Sequence, residues 1–287
     1  MGLKLKRLLP KRFRKEGVTI PVVRLHGAIM SGGGGFRPML NLAAAAPLLE
    51  KAFAIKDAPA VALSINSPGG SPVQSRLIFR RIRDLAEEKN KRVLVFVEDV
   101  AASGGYMIAI AGDEIFVDPS SIVGSIGVVS GGFGFPELLD KIGVERRVYT
   151  SGENKVMLDP FQPEKQDDIA YLKTLQQEIH ATFIDMVKGR RGTKLADDGT
   201  LFSGLFWTGG RALSLGLVDG IGDMRSEIKR RYGRDAELQL ISAGRSLFGR
   251  KQPGVSIDHA AAEIGAGAVS GLADLAQEKA LWGRFGL

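Results

Sequence analysis

The sequence predicts an α/β fold built from repeated strand–turn–helix units. Short apolar, β-branched runs typical of buried strands, such as 60–65 and 93–97, alternate with longer segments of helical periodicity. These two runs lead into tight turns of small residues, NSPGGS at 66–71 and AASGGY at 101–106, and a helical segment follows each turn. Strands that alternate with helices in this way indicate a layered α/β architecture.

The same patterns predict the other elements in chain order. Further strands are expected at 18–30, 114–118, 122–130, 145–149 and 237–241. Helices are expected at 40–55, 73–88, 106–111, 135–142, 164–188, 211–215 and 226–231. Glu98 and Asp99 are predicted to end the strand that begins at Val93. The apolar residues of helix 164–188 are predicted to face the core, and they are Ile169, Leu172, Ile179, Phe183 and Val187.

Length and composition limit the chemistry that is available. A chain of 287 residues with 44% hydrophobic residues can bury a large core. It contains no cysteine, which excludes disulfides, thiol catalysis and thiolate zinc sites. The three histidines are scattered and lack the spacing of metal ligands. We therefore predict neither a metal site nor a cofactor.

The net charge of +7 is concentrated at the N-terminus. Residues 1–15 hold seven of the 39 basic residues and no acid, so the remaining chain carries 32 basic and 32 acidic residues. Because the rest of the chain has no net charge, electrostatics does not favour binding to nucleic acid, and we expect no nucleic acid as a partner. The basic arm either contacts an anionic membrane surface or is a solvated tail. It lacks the apolar core of a signal peptide, and no stretch of the chain predicts a spanning helix.

Three regions follow from these patterns. They are a basic N-terminal arm at 1–17, a main domain at 18–242, and a Gly- and Ala-rich tail at 243–287. Apolar residues with helical spacing predict an amphipathic helix in the tail, and they are Ile257, Ile264, Leu272 and Leu275. We expect the protein in the cytoplasm or bound peripherally at the cytoplasmic face of a membrane.

Ser103 occupies the junction between a buried strand and a buried helix. A sharp turn there can hold a hydroxyl out of the fold, beside the free backbone N–H groups of the helix start. The alternative is that Ser103 only caps the helix. Gly69, Gly70 and Gly104 lie in the two glycine turns, and their N–H groups could form an oxyanion hole. Plain turn geometry is the alternative for these glycines.

A serine nucleophile also needs a base. None of His26, His180 and His259 has neighbours that suggest a catalytic triad. A lysine deprotonated by burial is the other option, since desolvation lowers the pKa of a lysine. Lys155 lies in the irregular loop 150–163, near the apolar residues of VMLDPF, but the residues alone barely favour it over Lys141 or Lys165.

Five motifs in order resemble the S49 family of serine peptidases, which includes signal peptide peptidase A and SohB-like proteins. They are NSPGGS, AASGGY, GSIGV at 124–128, SGENK at 151–155 and TGGRALSLGLVDGIGD at 208–223. The resemblance covers about residues 18–240 and implies a ClpP/crotonase-like fold. It also implies a serine endopeptidase with a Ser-Lys dyad. By motif, Ser103 matches the nucleophile and Lys155 the general base. The glycines of NSPGG and Gly104 match the oxyanion region, and Ser125 corresponds to a residue that orients the lysine.

The resemblance also implies substrates and an assembly. Expected substrates are peptides such as cleaved signal peptides or other membrane-associated peptides. Short members suggest a homo-oligomeric ring in which a neighbouring subunit supplies the lysine, although a dyad within one chain remains the alternative. Two other functions stay open: a crotonase-type acyl-CoA enzyme without a nucleophile, for which Glu98 and Asp99 are the nearest acids, and an inactive scaffold at a membrane.

Overall fold

The computed structural model describes residues 17–31, 39–242 and 278–287. Within these residues eight strands form one sheet, which confirms the predicted α/β class. The strands are β1 Thr19–His26, β2 Ala60–Ser67, β3 Arg92–Ala102, β4 Glu114–Val117, β5 Ile122–Gly124, β6 Phe206–Thr208, β7 Gly220–Ile221 and β8 Glu237–Leu240. The helices are α1 Leu42–Phe53, α2 Pro72–Lys89, α3 Gly104–Ala109, α4 Pro136–Lys141, α5 Gln166–Arg191, α6 Gly209–Ser214 and α7 Met224–Tyr232.

Some predicted features lie outside the described residues. These are residues 1–16 of the basic arm and the apolar stripe predicted within 243–275. The boundaries predicted for the main domain at 18 and 242 stay predictions. In the part of the chain that is described, no helix combines the length and apolar character needed to cross a membrane.

The sheet runs in the order β6-β5-β3-β2-β1-β8, with β4 and β7 joined at the side of β3. All pairings are parallel except the antiparallel pair of β5 and β6. One face of the sheet packs under α1, α2 and α3, through residues such as Leu63 and Val95. The other face buries a smaller set that includes Phe96 and Ile228 of α7. Each large apolar side chain buried in this way stabilises the fold by about 1.5–3 kcal/mol.

Strand β3 is longer than the sequence predicts. Glu98 and Asp99 do not end it, because both side chains are held by polar partners on the neighbouring strand β2. The Ser64 hydroxyl donates to Glu98 Oε1 at 2.5 Å, and Asn66 Nδ2 donates to Asp99 Oδ2 at 2.6 Å. The strand therefore continues to Ala102, and Ser103 alone separates it from α3. The turn expected over residues 101–105 therefore consists of Ser103 alone.

Helix α3 is braced by a distant part of the chain. Tyr106 is fully buried, and its hydroxyl donates to the Leu217 carbonyl at 2.7 Å. Burial raises the pKa of this tyrosine, so the hydroxyl stays protonated and keeps donating. Arg191 binds the neighbouring Asp219 at 2.7 Å, and that carboxylate also accepts the Ile115 N–H at 2.9 Å. The motif at 208–223 is thus a support for the helix that follows Ser103.

Other differences from the prediction concern strands. The segment 122–130 forms a strand only over β5, because the chain turns away after Gly124 with φ +110°. The predicted strand at 145–149 is not formed in the single chain, since its backbone has no neighbouring strand among the described residues. Strands β6 and β7 were not predicted, because each has at most three residues and shows no alternating pattern.

One long segment carries most of the exposed large apolar side chains of the described chain. We call residues 127–182 the extension, and none of them is buried. Helix α5 was predicted to turn one apolar face inward along its whole length. Only its second half does so, through Phe183 and Val187. On the N-terminal side of Phe183, Ile179 remains 39% exposed, and Ile169 and Leu172 are only half-buried. Elsewhere in the extension Phe133 is 83% and Tyr149 is 90% exposed.

Candidate active site

Ser103 has an unusual backbone conformation. Its φ is 51° and its ψ is −121°, in a region that non-glycine residues rarely adopt. Its side chain makes no capping hydrogen bond to α3, so helix capping does not explain the serine. Its N–H donates to the Gly124 carbonyl at 2.8 Å, which ties the turn to the end of β5. The structure therefore holds the hydroxyl in a strained turn without using it to cap the helix.

The glycine turn after β2 lies against the Ser103 turn. A Cβ added at Gly69, where φ is +102°, would lie 2.8 Å from the Ser103 Cβ and 2.9 Å from the Gly104 nitrogen. A Cβ at Gly70, where φ is +139°, would collide with the Ile29 carbonyl. Only glycine allows these backbones to approach so closely. The structure thus brings together Ser103 and all three predicted oxyanion glycines.

The N–H groups of these glycines differ in availability. The Gly69 N–H already donates to Ser67 Oγ, at 3.3 Å. Among the described residues, the N–H groups of Gly70 and Gly104 meet no acceptor. An oxyanion hole needs free donors aimed at developing negative charge. Gly70 and Gly104 are therefore the better candidates for donors, while Gly69 allows the close approach.

Ser125 lies beside the same turn. It is buried, has a φ of 52°, and directly follows Gly124, whose carbonyl accepts the Ser103 N–H. The Ser125 N–H donates to the Leu205 carbonyl at 2.7 Å.

Sequence analysis did not assign a role to His180, whose Nε2 lies 3.0 Å from the Ile126 carbonyl. This contact joins the two ends of the extension, and its spacing of 54 positions left no signal in the sequence.

Within the described chain, Lys155 forms no side-chain hydrogen bond or ion pair with the other site residues. It lies in the turn region 151–158 of the extension, where its side chain is exposed, and no contact joins it to Ser103. Lys141 and Lys165, the other lysines considered, are exposed on the same extension. The single chain therefore assembles the serine and the glycines but does not bring any of these three lysines to them.

Acids and histidines near the sheet edge have other partners. The Ser64 hydroxyl that donates to Glu98 also lies 2.8 Å from His26 Nε2. Burial lowers the pKa of His26, and the nearby Glu98 carboxylate partly offsets this effect. His180 contacts Ile126, and His259 lies outside the described residues. In the described chain neither His26 nor His180 hydrogen-bonds Ser103.

We predict that Gly69→Ala damages both stability and activity. The added methyl group would press on the Ser103 turn at a φ that disfavours alanine. We expect the free energy of unfolding to fall by about 2 kcal/mol, and hydrolysis to fall at least about tenfold. Thermal unfolding and a peptide cleavage assay measure the two effects. Gly189→Ala is the control, because a Cβ at that helical glycine meets nothing within 4 Å. A Gly69→Ala protein as stable and active as this control would contradict the close approach.

Comparison with known proteins identifies the family. The model of peptidase family S49 matches residues 86–238, which include Ser103, Ser125 and Lys155. This match covers more than half of the chain. The chain belongs to peptidase family S49. Membership of this family of serine peptidases agrees with the α/β sheet and confirms the predicted ClpP/crotonase-like fold.

Two relatives of this S49 chain are longer proteins. It is 68% identical over 286 residues to the "Na(+)/H(+) antiporter NhaA" of Brucella abortus, a match that covers 99% of this chain and 39% of that protein. It is 30% identical to "Serine protease SPPA, chloroplastic" of Arabidopsis thaliana, over 73% of this chain and 31% of that one. The chain thus spans about a third of each relative. The stretch shared with the Brucella protein contains the S49 match.

A solved structure is also similar to the S49 chain. It is a mutant form of the "1510-N membrane-bound stomatin-specific protease", with a TM-score of 0.44 and 16% identity. The match covers 79% of this chain and 99% of that one. This similarity is too low to support a conclusion about the site or the substrate.

Proposed function

We propose that the chain is a serine endopeptidase in which Ser103 is the nucleophile and Lys155 the general base. The observation that carries the proposal is the strained one-residue turn at Ser103, packed against Gly69 and next to the free N–H of Gly104. This arrangement suits attack on a carbonyl whose oxygen becomes an anion. The S49 match, which contains both Ser103 and Lys155, supports the same chemistry.

The proposed reaction has two steps. In the first, neutral Lys155 takes the proton of the Ser103 hydroxyl as the oxygen attacks the scissile carbonyl carbon. The resulting oxyanion accepts hydrogen bonds from Gly70 and Gly104, and it collapses as the C–N bond breaks. The lysine returns its proton to the leaving amine, which leaves an ester on Ser103. In the second step, a water molecule loses a proton to Lys155 and attacks the ester carbon. The bond from that carbon to the Ser103 oxygen then breaks as the lysine returns the proton to this oxygen, which releases the acid product and restores the free serine and the neutral lysine.

We further propose that Lys155 reaches Ser103 of a neighbouring copy in a homo-oligomeric ring. Two observations support this arrangement. Lys155 is exposed on an extension in which no residue is buried, and the extension exposes large apolar side chains such as Phe133 and Tyr149. Exposed apolar surface of this kind is typical of protein interfaces. Against a neighbouring copy, Lys155 would lose the solvent that keeps a lysine protonated.

The alternative functions have less support. An acyl-CoA enzyme of the crotonase type would need carboxylates directed at the site. Glu98 and Asp99 are instead bonded to Ser64 and Asn66 on strand β2. An inactive scaffold would have no reason to keep the strain at Ser103, which costs about 1–3 kcal/mol. The natural substrates that we propose are cleaved signal peptides or other membrane-associated peptides, as in the family that the chain resembles.

A serine-reactive fluorophosphonate tests the nucleophile directly. The protein is incubated with the reagent, digested, and the labelled peptide is identified by mass spectrometry. We expect one label, on Ser103, and no label after heat denaturation, because the reaction depends on the folded site. A label on another serine, or no label on an active preparation, would contradict the assignment.

A lysine base also predicts a direction for the pH dependence. The lysine accepts a proton only when it is neutral, and the neutral fraction grows as the pH rises. We expect kcat/KM for a soluble peptide to rise about tenfold per pH unit below the plateau and then to level off in the alkaline range. Measurement of kcat/KM at constant ionic strength from mildly acidic to alkaline pH tests this. A maximum in acid would indicate a carboxylate base.

We also propose that the basic arm holds the protein at the anionic cytoplasmic face of a membrane. Each basic residue near such a surface contributes about 1 kcal/mol, and salt weakens the attraction. Deletion of residues 1–15 should abolish co-sedimentation with vesicles that contain phosphatidylserine, while cleavage of soluble peptides is unchanged. If the truncated protein sediments as well as the full chain, another segment binds the vesicles.

A further inference from the structure

One segment of the extension has the sequence of a strand but no strand partner. Residues 145–150 are all exposed, and within the described residues none of their backbone N–H or C=O groups is hydrogen-bonded. The residues ERRVYT include the β-branched and aromatic types that favour strands. Backbone groups of a strand-forming segment are most stable when a neighbouring strand pairs with them.

One edge of the sheet is also unpaired. Strand β6 pairs with β5 on one side, and in the described part of the chain no strand lies on its other side. Phe206 on this strand is 41% exposed and the preceding Leu205 is 51% exposed. Phe285 contacts the Phe206 ring through its side chain, with 5.1 Å between the ring centroids. An open apolar edge of this kind is a template for another strand.

This edge is connected to Ser103 through strand β5. Phe206 pairs with Gly124, and the Gly124 carbonyl accepts the Ser103 N–H. The other end of the sheet path, β8, is separated from β3 by β1 and β2. A strand added at β6 would therefore lie close to the candidate site, and a strand added at β8 would not.

We propose that residues 145–150 of one copy add as a strand to β6 of a second copy. This inference rests on the proposed role of Lys155, because it explains how that lysine reaches the neighbouring Ser103. Strands in a sheet are about 4.8 Å apart, so the added strand lies about 14 Å from β3 across β6 and β5. Fully extended, the five residues from Thr150 to Lys155 span at most about 17 Å, and this stretching opens the hydrogen bond from the Lys155 N–H to the Gly152 carbonyl. The contact joins two different surfaces, so its repetition around an axis can close a ring.

The absence of cysteine allows a clean cross-linking test. One set of chains carries a single cysteine at each position from 145 to 150, and the other carries Phe206→Cys. The chains are mixed under conditions that allow subunit exchange, and then oxidised. Disulfides require Cβ atoms about 4 Å apart. Because side chains alternate along a strand, we expect cross-linked dimers at alternate positions only. No cross-link, or equal cross-linking at all the positions tested, overturns the proposal.

A proline substitution tests whether the backbone of this segment is needed. Val148→Pro removes one N–H and cannot pair within a sheet, whereas Val148→Ala keeps that N–H. Val148 is exposed and its N–H is unbonded in the described chain, so neither change should unfold it, and circular dichroism checks this. We expect Val148→Pro to reduce the mass in sedimentation velocity to that of smaller species, and Val148→Ala to assemble normally. A Val148→Pro protein that assembles fully contradicts strand addition.

The outcomes separate this inference from the proposed function. If the alternating cross-links form but a Lys155→Ala protein stays active, the strand pairing stands and the role of Lys155 fails. If no cross-links form but mixed Ser103→Ala and Lys155→Ala chains recover activity, the shared site stands and this strand pairing is wrong.

Discussion

Replacement of Ser103 by alanine should abolish peptide hydrolysis while the fold persists. The change removes the oxygen that we propose as the nucleophile, and we expect kcat to fall at least about 10³-fold. The fold should persist because the hydroxyl makes no capping bond to α3. Alanine must still adopt the strained conformation, with φ 51° and ψ −121°, so no backbone strain is relieved. A fluorogenic peptide assay and thermal unfolding measure the two quantities.

A matched serine provides the control for this variant. Ser130 lies at the exposed start of the extension, and alanine there should leave kcat and stability unchanged. Full activity of the Ser103→Ala protein would rule out this serine as the nucleophile. Loss of activity together with loss of the folded state would mean that the residue is structural, and the thermal transition distinguishes the two cases.

Substitution of Lys155 should be equally damaging, and arginine should not rescue it. Lys155→Ala removes the proton acceptor. Lys155→Arg keeps a positive charge, but arginine stays protonated and cannot serve as a base. We expect both to lose at least about 10³-fold in kcat. Because Lys155 is exposed in the single chain, neither change should lower thermal stability. Lys165→Ala, at another exposed lysine of the extension, is the control and should remain active.

Mixing the two inactive variants tests where the dyad forms. If one subunit supplies Ser103 and its neighbour supplies Lys155, some interfaces in a mixed oligomer pair two intact residues. Random mixing of equal amounts should restore up to about a quarter of the wild-type activity. If both residues come from one chain, no mixture contains a complete site. If mass spectrometry shows that the oligomer is mixed and no activity returns, the dyad therefore forms within one chain.

The sequence predicted the central part of the fold well, because burial there follows local patterns. The apolar runs at 60–65 and 93–97 are buried strands, and helix α2 begins and ends within one residue of its prediction. The prediction that β3 ends at Glu98 and Asp99 was wrong, because polar partners on β2 hold both residues within the strand. Such contacts join positions more than 30 residues apart, so no local pattern reports them.

The extension shows a different limit. The apolar face of helix 164–188 was predicted to pack on the core, yet Ile179 remains 39% exposed. An apolar stripe indicates that a surface will be covered, but it does not indicate which chain covers it. In the candidate site, Ser103 and the glycines could be recognised because strand and turn positions are local. The approach of Lys155 remains a prediction, because the single chain leaves that lysine exposed.

The brace on α3 has a consequence for protein synthesis. Tyr106 lies three residues after Ser103, but its partner Leu217 is 111 positions further along the chain. A ribosome makes the N-terminal part first, so Ser103, the proposed nucleophile, leaves the exit tunnel long before the segment that supports its helix. An unfinished chain therefore carries Ser103 without the contacts that fix the turn. If Ser103 is the nucleophile that we propose, hydrolytic competence should arise only late in translation.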